Sequence, residues 1–306
     1  MNNQTTNKIL MVRPTAFRAN EQTAVNNFFQ NTSPLIGELN TSAQEEFDHL
    51  VKTLQKAGIE VIISQDNGIY DTPDSIFPNN VISFHQDTAI IYPMFAPNRR
   101  RERLLNHLDA LEKRHIHFPK IKDYSQFENQ NLFLEGTGVL VLDRINMIAY
   151  CSISDRAHLE LLALFCEENN YKPVVFHATH HVNNQRQPIY HTNVMMALGS
   201  NFCVICLKSI VNEKEKNNII SQLENTGKKI IDISENQMNQ FCGNILELQT
   251  IDDKKIICMS KQAYDAFNTN QKEQLSSIAE IIYAPIYTIE KYGGGSVRCM
   301  IAEVFT

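Results

Sequence analysis

The sequence predicts an α/β fold in which one strand-strand-helix-strand unit recurs five times and closes into a pseudo-symmetric ring. First, five stretches look alike, each with two apolar strands around a polar turn. Second, each of the first four stretches is followed by a helical pattern and a further short strand, and the same two elements near the start of the sequence belong to the fifth unit. Third, "KILMVRP" (8–14) supplies the strand that the last stretch lacks. The strand that begins the chain therefore closes the ring.

The repeat is regular enough to measure along the chain. The first apolar residues of the five stretches are Val81, Val139, Val194, Ile245 and Val297, at intervals of 58, 55, 51 and 52 residues. The five stretches are "NVISFHQDTAIIYP" (80–93), "GVLVLDRINMIAYCSIS" (138–154), "NVMMALGSNFCVICL" (193–207), "NILELQTIDDKKIICMS" (244–260) and "SVRCMIAEVF" (296–305). A doubly wound sheet is the alternative, but it needs strands and helices to alternate one for one. We therefore expect a single domain over residues 1–306.

The helices and third strands follow from spacing and end signals. Phe47, Leu50, Val51 and Leu54 lie on one helical face, behind a capping box at Ser42. Each predicted helix has a short polar residue as its N-cap: Ser42, Asn98, Ser154, Asn212 and Ser260. The predicted third strands are "IEVIIS" (59–64), "IHF" (116–118), "PVVF" (173–176), "KKIIDI" (228–233) and "EIIY" (280–283).

Composition excludes several classes of function. The net charge of −6 argues against a nucleic-acid or membrane-surface partner, and no apolar run is long enough to span a bilayer. The first residues lack the basic and apolar regions of a signal peptide, so a cytoplasmic location is predicted. Seven scattered cysteines are typical of reduced thiols, and the pair in "CVIC" (203–206) is predicted to be buried in a strand.

Residues able to do chemistry recur just before the opening strands. Asp74, Asn79 and Asn80 stand in "PDSIFPNN", Glu135 in "LEGTG", His191 in "IYHTN" and Cys299 in "GGGSVRC". In a ring of equivalent units these positions lie at one level around the axis. A thiol, an imidazole and a carboxylate in contact form the set needed for nucleophilic catalysis by cysteine. Each residue alone also fits an ordinary buried or turn position, so the prediction rests on their equivalent positions within the repeated unit.

A metal site is the competing interpretation of the histidines. "HATHH" contains His177, His180 and His181, which could ligate zinc, but no cysteine or acidic partner stands at the usual spacing. The nucleotide-binding patterns GxGxxG and GxxxxGK[ST] are absent from the sequence. We therefore expect no metal and no organic cofactor.

These residues resemble a known superfamily over the whole chain. The five-fold unit, "PDSIFPNN", "LEGTG", the histidine before the third strand pair and "GGGSVRC" are similar to the guanidino-group-modifying enzymes of the pentein fold. "MVRPTAFRANEQTA" and "PNN" are most similar to the amidinotransferase-related branch with citrulline-utilisation hydrolases. The resemblance implies a five-bladed propeller of ββαβ units with the active site on its axis.

The resemblance also implies roles for individual residues. Cys299 would be the nucleophile, His191 the general acid and base, and Glu135 the carboxylate that orients His191 and binds substrate nitrogen. Asp74 would hold the substrate, and Arg99 and Arg156 would bind its α-carboxylate. In "PNRRRE", Arg100 and Arg101 are alternatives to Arg99. The loop 14–22 is predicted to close over the substrate.

Two positions depart from the deiminase pattern in the same way. Asn80 and Asn193 stand where deiminases usually carry aspartate. A guanidinium is best held by carboxylates, whereas a neutral ureido group offers a carbonyl that an amide N–H can bind. The substitutions therefore favour citrulline, cleaved to ornithine, carbon dioxide and ammonia through a covalent intermediate on Cys299.

Other functions remain open at this point. The alternatives are an arginine deiminase or dimethylarginine dimethylaminohydrolase type of activity, an amidinotransferase, and a ring that binds a ligand without chemistry. The expected partner is a small amino-acid substrate, with no nucleic acid and no membrane. The oligomeric state is open, a homodimer included.

Overall fold

The computed structural model describes residues 3–31, 36–183 and 185–306. Its strands are β1 (Lys8–Arg13), β2 (Glu60–Gln65), β3 (Ile82–His85), β4 (Thr88–Ile91), β5 (Lys120–Asp123), β6 (Val141–Asp143), β7 (Ile148–Ser152), β8 (Lys172–Phe176), β9 (Thr179–Val182), β10 (Gln185–Pro188), β11 (Met196–Leu198), β12 (Phe202–Ile205), β13 (Lys229–Asp232), β14 (Leu246–Gln249), β15 (Lys255–Ser260), β16 (Glu280–Ala284) and β17 (Ala302–Glu303). The α-helices are α1 (Ile36–Lys56), α2 (Pro97–Arg100), α3 (His107–Glu112), α4 (Gly136–Val139), α5 (Leu159–Asn169), α6 (Thr192–Met195), α7 (Glu213–Asn225), α8 (Glu235–Met238), α9 (Lys261–Ala266), α10 (Thr269–Ser276) and α11 (Tyr287–Gly293). The 3-10 helices are Pro78–Asn80, Arg101–Leu104, Ser125–Gln130 and Leu207–Ser209.

Five three-stranded sheets share one topology. Their strand orders are β17-β1-β2, β3-β4-β5, β6-β7-β8, β11-β12-β13 and β14-β15-β16. In each sheet the middle strand pairs antiparallel with the first strand and parallel with the third. The strand pattern predicted for the repeated unit is therefore present, and none of these described sheets closes on itself. β9 and β10 form a separate hairpin.

The first strand completes the last unit, as the sequence predicts. β1 pairs antiparallel with β17, where Ile9 lies opposite Glu303, and parallel with β2, where Ile9 lies opposite Val61. Two ends of the described chain thus share one sheet. This pairing places the "GGGSVRC" segment directly before a strand of a sheet. The other site segments also lie directly before strands.

Burial follows position within each sheet. Every residue of β6, β7 and β12 is buried, since other elements cover both faces of these inner strands. Third strands lie nearer the surface, and β5 has three exposed residues of four. Four apolar clusters fill the space between sheets and helices. Both cysteines of "CVIC" are buried free thiols as predicted, but only Cys203 lies in a strand, and Cys206 directly follows β12.

Two predicted helix starts are confirmed and three are wrong. The side chains of Asn212 and Ser260 accept hydrogen bonds from backbone N–H groups of α7 and α9. Ser42 instead lies inside α1, which begins six residues earlier at Ile36. The Asn98 side chain bonds to Asn20, and the Ser154 hydroxyl donates to the backbone oxygen of Tyr190, 2.8 Å away. Tertiary hydrogen bonds therefore use the short polar side chains that could have served as caps.

One predicted strand is misplaced. The third strand of the β3-β4-β5 sheet is formed by Lys120–Asp123, not by "IHF" (116–118). Ile116 is buried in a core cluster without joining a ladder, whereas Ile121 in the strand is 55% exposed. An edge strand needs backbone pairing more than an apolar sequence, so hydrophobicity predicts it poorly.

Helix α1 packs with the face that its sequence predicts. Phe47, Leu50, Val51 and Leu54 are all buried in one cluster with residues of β1 and β2. Among the residues that the structure describes, no helix is both long and apolar enough to cross a membrane.

Candidate active site

Short turns before the opening strands bring the predicted site residues together. The 3-10 helix Pro78–Asn80 precedes β3, α4 precedes β6, and α6 precedes β11. Helix α4 contacts both the 3-10 helix and α6, so the three turns lie side by side. A further turn over residues 296–300 precedes β17. Residues far apart in sequence therefore line one pocket.

The sulfur of Cys299 lies between two side-chain amides. Asn244 Nδ2 donates to Cys299 Sγ at 3.2 Å, and Asn193 Nδ2 lies 3.5 Å from the same sulfur. The backbone N–H of Cys299 donates to the carbonyl of Ser296 at 2.9 Å. Burial raises the pKa of the Cys299 thiol, and the hydrogen bonds from Ser296 and the two amides oppose that shift only in part. Arg298 also lowers this pKa, but in the substrate-free site the pKa of Cys299 still lies above its ordinary value.

His191 and Glu135 form a buried pair beside the thiol. His191 Nε2 lies 2.7 Å from Glu135 Oε2, and the backbone N–H of Phe95 donates to Glu135 Oε1 at 3.0 Å. Burial lowers the pKa of His191 to about 4, although Glu135 acts in the opposite direction. Burial also tends to raise the pKa of Glu135, but Arg156, His191 and Arg99 outweigh it and hold the carboxyl ionised. A neutral imidazole and an ionised carboxylate result.

Arg99 is buried and fully engaged by neighbours. Its Nε and Nη2 atoms donate to the two oxygens of Glu102 at 2.8 and 2.9 Å. Nη1 donates to Asn80 Oδ1 at 2.8 Å, and Nη2 also donates to the carbonyl of Phe77 at 3.1 Å. Asp74 Oδ2 forms an ion pair with Arg99, 3.7 Å from its Nε atom. The bond to Oδ1 fixes the orientation of the Asn80 amide, so its Nδ2 group is left as a donor without a partner among the described residues.

The adjacent arginines do not share this position. Arg100 donates to the carbonyl of Met94, and the Arg101 side chain is 41% exposed beside Asp71. Of the three alternatives in "PNRRRE", Arg99 is therefore the one that lines the pocket.

Gly138 allows two site residues to approach each other. A Cβ atom at this position would lie 2.3 Å from Asn80 Nδ2 and 3.0 Å from ring atoms of His191. Contacts this short do not occur without displacement of a neighbour. The glycine of "LEGTG" therefore has a steric role in the site.

A segment near the start of the described chain covers the pocket. Asn20 Nδ2 donates to Asp74 Oδ2 at 2.7 Å. Arg156 Nε donates to Asn26 Oδ1 at 3.1 Å, and Arg156 Nη2 donates to the carbonyl of Thr23 at 3.2 Å. The covering segment thus extends beyond the predicted loop 14–22.

The pocket has a volume of about 10 Å³, roughly the least that can hold one water molecule. Its lining includes Asp74, Asn80, Arg99, Arg156, His191 and Cys299. The seventh predicted residue, Glu135, reaches the pocket through its bond to His191. The structure therefore places all seven predicted residues at one location.

Some contributors were not predicted from the sequence. Asn244 stands just before the fourth opening strand, where the first, second and third units carry their site residues, so the repeat could have identified it. Tyr190 donates its hydroxyl to the carbonyl of Gly294 at 2.8 Å, and its ring centroid lies 4.6 Å from the Arg156 guanidinium carbon. Nothing in the local sequence marks Tyr190 for that position.

The histidines of "HATHH" serve different contacts. His177 bonds to Glu215 at 3.0 Å, and His181 bonds to Glu235 at 2.9 Å. The ring of His180 stacks on Phe29 with centroids 5.3 Å apart. Within the described ranges, no group of three or more potential metal ligands is found.

Sequence comparison assigns the family. A model described as "N,N dimethylarginine dimethylhydrolase, eukaryotic" matches residues 13–306. The chain belongs to this family. It is a member of the guanidino-modifying superfamily that the sequence motifs indicate. No curated protein matches the chain in sequence.

Solved structures show the same fold at low identity. The N-terminal domain of ArgZ, an arginine dihydrolase from the ornithine-ammonia cycle in cyanobacteria, is 17% identical with a TM-score of 0.72, and 97% of each chain is covered. An AgrE mutant in complex with L-arginine is 16% identical with a TM-score of 0.74, covering 97% of this chain and 40% of AgrE. A dimethylarginine dimethylaminohydrolase adduct with S-methyl-L-thiocitrulline is 15% identical with a TM-score of 0.61, covering 98% and 99%. The chain thus spans about 40% of the length of full-length ArgZ.

Proposed function

We propose that this chain is a cysteine-dependent hydrolase that breaks a C–N bond in the guanidino or ureido group of an arginine-like amino acid. The observation that carries the proposal is the joint position of Cys299 and His191 in one charged pocket, with Glu135 bonded to His191. Membership of a dimethylarginine dimethylhydrolase family supports it. The five sheets form the blades of a five-bladed propeller in this proposal, within a single domain and around the site.

The first chemical step forms a bond between sulfur and the central carbon of the substrate. Because His191 is held neutral, it can accept the Cys299 proton and pass it to the leaving amine. With citrulline, the C–N bond to the alkyl amine breaks, giving ornithine and an S-carbamoyl group on Cys299. Amide donors from Asn244 and Asn193 stabilise the sulfur as it becomes negative.

The second step returns the free enzyme. His191 takes a proton from water, whose oxygen attacks the carbamoyl carbon, and the carbon–sulfur bond breaks to restore the thiol. The product, carbamic acid, decomposes to carbon dioxide and ammonia. No metal or organic cofactor takes part in this proposal.

Asn80 favours a ureido substrate. Arg99 binds Oδ1, and in the described part of the chain no group binds the buried Nδ2 of Asn80. A carbonyl oxygen of a ureido group would satisfy this donor, whereas a guanidinium would bring a donor against a donor. Citrulline is therefore our first candidate substrate.

Successive hydrolysis of arginine, first to citrulline and then to ornithine, is the second candidate. It is favoured by the fold similarity to ArgZ, a named arginine dihydrolase. In this case the same thiol would act twice, once with ammonia leaving and once with ornithine leaving. The guanidinium of arginine would also lower the pKa of Cys299 on binding, which the substrate-free site does not do.

Product analysis tests both candidates. L-citrulline and L-arginine are incubated separately with the protein and with Cys299→Ala, and ornithine, citrulline and ammonia are measured. Ornithine from citrulline, lost in the variant, supports the first candidate. Citrulline as the final product from arginine would contradict the role given to Asn80, and no product from either compound would contradict the hydrolase.

A further inference from the structure

Ser296 connects the turn that carries the proposed nucleophile to a buried carboxyl group outside that turn. In this nucleophile turn, residues 296–300, the Ser296 carbonyl accepts from the N–H groups of Cys299 at 2.9 Å and Met300 at 3.3 Å. The Ser296 hydroxyl donates to Glu290 Oε1 at 2.6 Å, and both residues are buried. Ser296 therefore binds the backbone of the nucleophile with its carbonyl and is itself held through its side chain.

This side-chain bond spans three consecutive glycines. The glycines at 293–295 lead from the end of α11 to Ser296. Gly294 has a φ of +66°, and a Cβ atom at Gly295 would lie 2.8 Å from the Phe77 ring, so this path requires glycine. Glycine also allows a wider range of backbone conformations than any other residue. A hydrogen bond that joins the two ends of the path limits the positions that the nucleophile turn can take.

Glu290 is fixed in place by its helix, α11. Its backbone carbonyl accepts from the N–H of Gly294 at 3.0 Å, at the C-terminal end of the helix. At the other end, the two carboxylate oxygens of Glu46 accept from the N–H groups of Thr288 at 2.8 Å and Ile289 at 3.0 Å. Glu46 belongs to α1, a helix of 21 residues. The support of the nucleophile turn therefore extends through α11 to a long helix.

The surroundings of the Glu290 carboxyl do not favour it for stability alone. Its Oε2 atom is buried and has no hydrogen-bond partner among the described residues. Burial raises the pKa of Glu290 to about 7, and the hydroxyls of Ser260 and Ser296 oppose only part of this shift. The charged neighbour that acts on it, Glu46, is also acidic and raises the pKa further. An apolar side chain of similar size would stabilise such a position better, so the contact with Ser296 is what the carboxyl provides.

We propose that Glu290 is a positioning residue for the nucleophile. By binding Ser296, it fixes the nucleophile turn and with it the sulfur of Cys299. That sulfur must reach the substrate carbon and keep its 3.2 Å contact with the Asn244 amide, and a displacement of about 1 Å lowers the rate of such a reaction about 100-fold. The inference rests on the proposed function only for the role of Cys299 as the nucleophile.

Hydrogen exchange tests the position of the turn without turnover. The wild type, Glu290→Leu and Ser296→Ala are compared at the backbone amides of Cys299 and Met300, which bind the Ser296 carbonyl. We expect exchange at these two amides to be at least about tenfold faster in both variants, while the amides of the inner strand β7 keep the wild-type rate. Unchanged exchange at Cys299 and Met300, or an equal acceleration in β7, would overturn the inference.

A double variant separates positioning from stability. In Glu290→Leu/Ser296→Ala both hydrogen-bonding groups are replaced by apolar ones, so the free energy of unfolding should stay close to that of the wild type. We expect kcat for L-citrulline or L-arginine, whichever is turned over, to fall about 10- to 100-fold, while KM changes less than about threefold. Because the two groups act through one bond, the loss should be no larger than in Glu290→Leu alone.

Two further variants complete the measurement. Glu290→Gln keeps an oxygen that can accept from the Ser296 hydroxyl, so it should retain most of kcat, and Glu280→Leu makes the control substitution at an exposed position. Wild-type kcat in the double variant, or a loss in Glu290→Gln as large as in Glu290→Leu, would contradict the positioning role. If the wild-type protein turns over neither compound, the proposed function fails, but hydrogen exchange still decides the inference.

Discussion

Asn244 contacts Cys299 through both ends of its amide. Its Nδ2 atom donates to Cys299 Sγ at 3.2 Å, and its Oδ1 atom accepts from the Cys299 backbone N–H at 3.4 Å. Nδ2 also donates to the carbonyl of Asn193 at 2.9 Å. One neutral side chain therefore orients the backbone and the sulfur of the proposed nucleophile, and stabilises a thiolate without adding a charge that would repel a cationic substrate.

Replacing this amide should impair the thiol selectively. In Asn244→Ala we expect kcat to fall about 10- to 100-fold, because a hydrogen bond to a charged group contributes about 1.5–3 kcal/mol. The pH at which Cys299 reacts with iodoacetamide should also rise. Asn239→Ala, which changes an exposed asparagine, is the control. An unchanged alkylation profile in Asn244→Ala would contradict the assigned role.

Asn80→Asp tests the preference for a ureido group. The substitution replaces the unpartnered Nδ2 donor with a carboxylate oxygen, which repels a ureido carbonyl and attracts a guanidinium. We expect kcat/KM for citrulline to fall at least about tenfold more than kcat/KM for arginine, the ratio that about 1.4 kcal/mol produces. Asn239→Asp, which adds the same charge at an exposed position, is the control. Equal losses on both substrates would remove the argument for citrulline.

Gly138→Ala tests the close approach within the site. The added Cβ would displace the Asn80 amide or the His191 ring, so activity should fall about 100-fold or more, as for a catalytic group misplaced by about 1 Å. Gly227→Ala is the control, since no atom lies within 4 Å of its Cβ position and only backbone strain at φ +72° is added. The measurements are kcat/KM and the free energy of unfolding. Full activity in Gly138→Ala would refute the steric role.

The acid sensitivity of the fold should depend on His107. Burial lowers the pKa of His107 to about 4, whereas in the unfolded chain it is about 6.5. Only the unfolded chain takes up the proton between these values, so the free energy of unfolding falls as the pH drops from about 6.5 to about 4. The loss from this residue is at most about 3 kcal/mol.

The variant His107→Leu isolates this contribution. Its free energy of unfolding, measured in urea at pH 7 and pH 4.5, should change less with pH than that of the wild type. His117→Leu, which changes an exposed histidine, is the control variant. If His107→Leu also leaves it unchanged, the histidine does not remain neutral in the folded protein.

Structural predictions made from periodic features of the sequence agree with the structure. The burial of Phe47 and Leu50 on one face of α1, and the pairing of β1 with β17, follow from patterns that repeat along the chain. Predictions of helix ends from single capping residues were less accurate. Ser154 and Asn98 have the right chemistry for helix caps, but partners distant in sequence bind their side chains.

The sequence by itself determined the repeated unit, the family and the predicted set of Cys299, His191, Glu135, Asp74, Asn80, Arg99 and Arg156. Equivalent positions in the repeated units indicate Cys299, His191, Glu135, Asp74 and Asn80, whereas Arg99 and Arg156 follow from the resemblance to a known superfamily. Only the tertiary structure decided what each group contacts. Arg99 is bound by Asn80, and Arg156 by Asn26, because these partners depend on how separate segments pack around a pocket. Protonation states also depend on packing, since burial sets the pKa of His191 and Cys299 and no short stretch of sequence specifies burial.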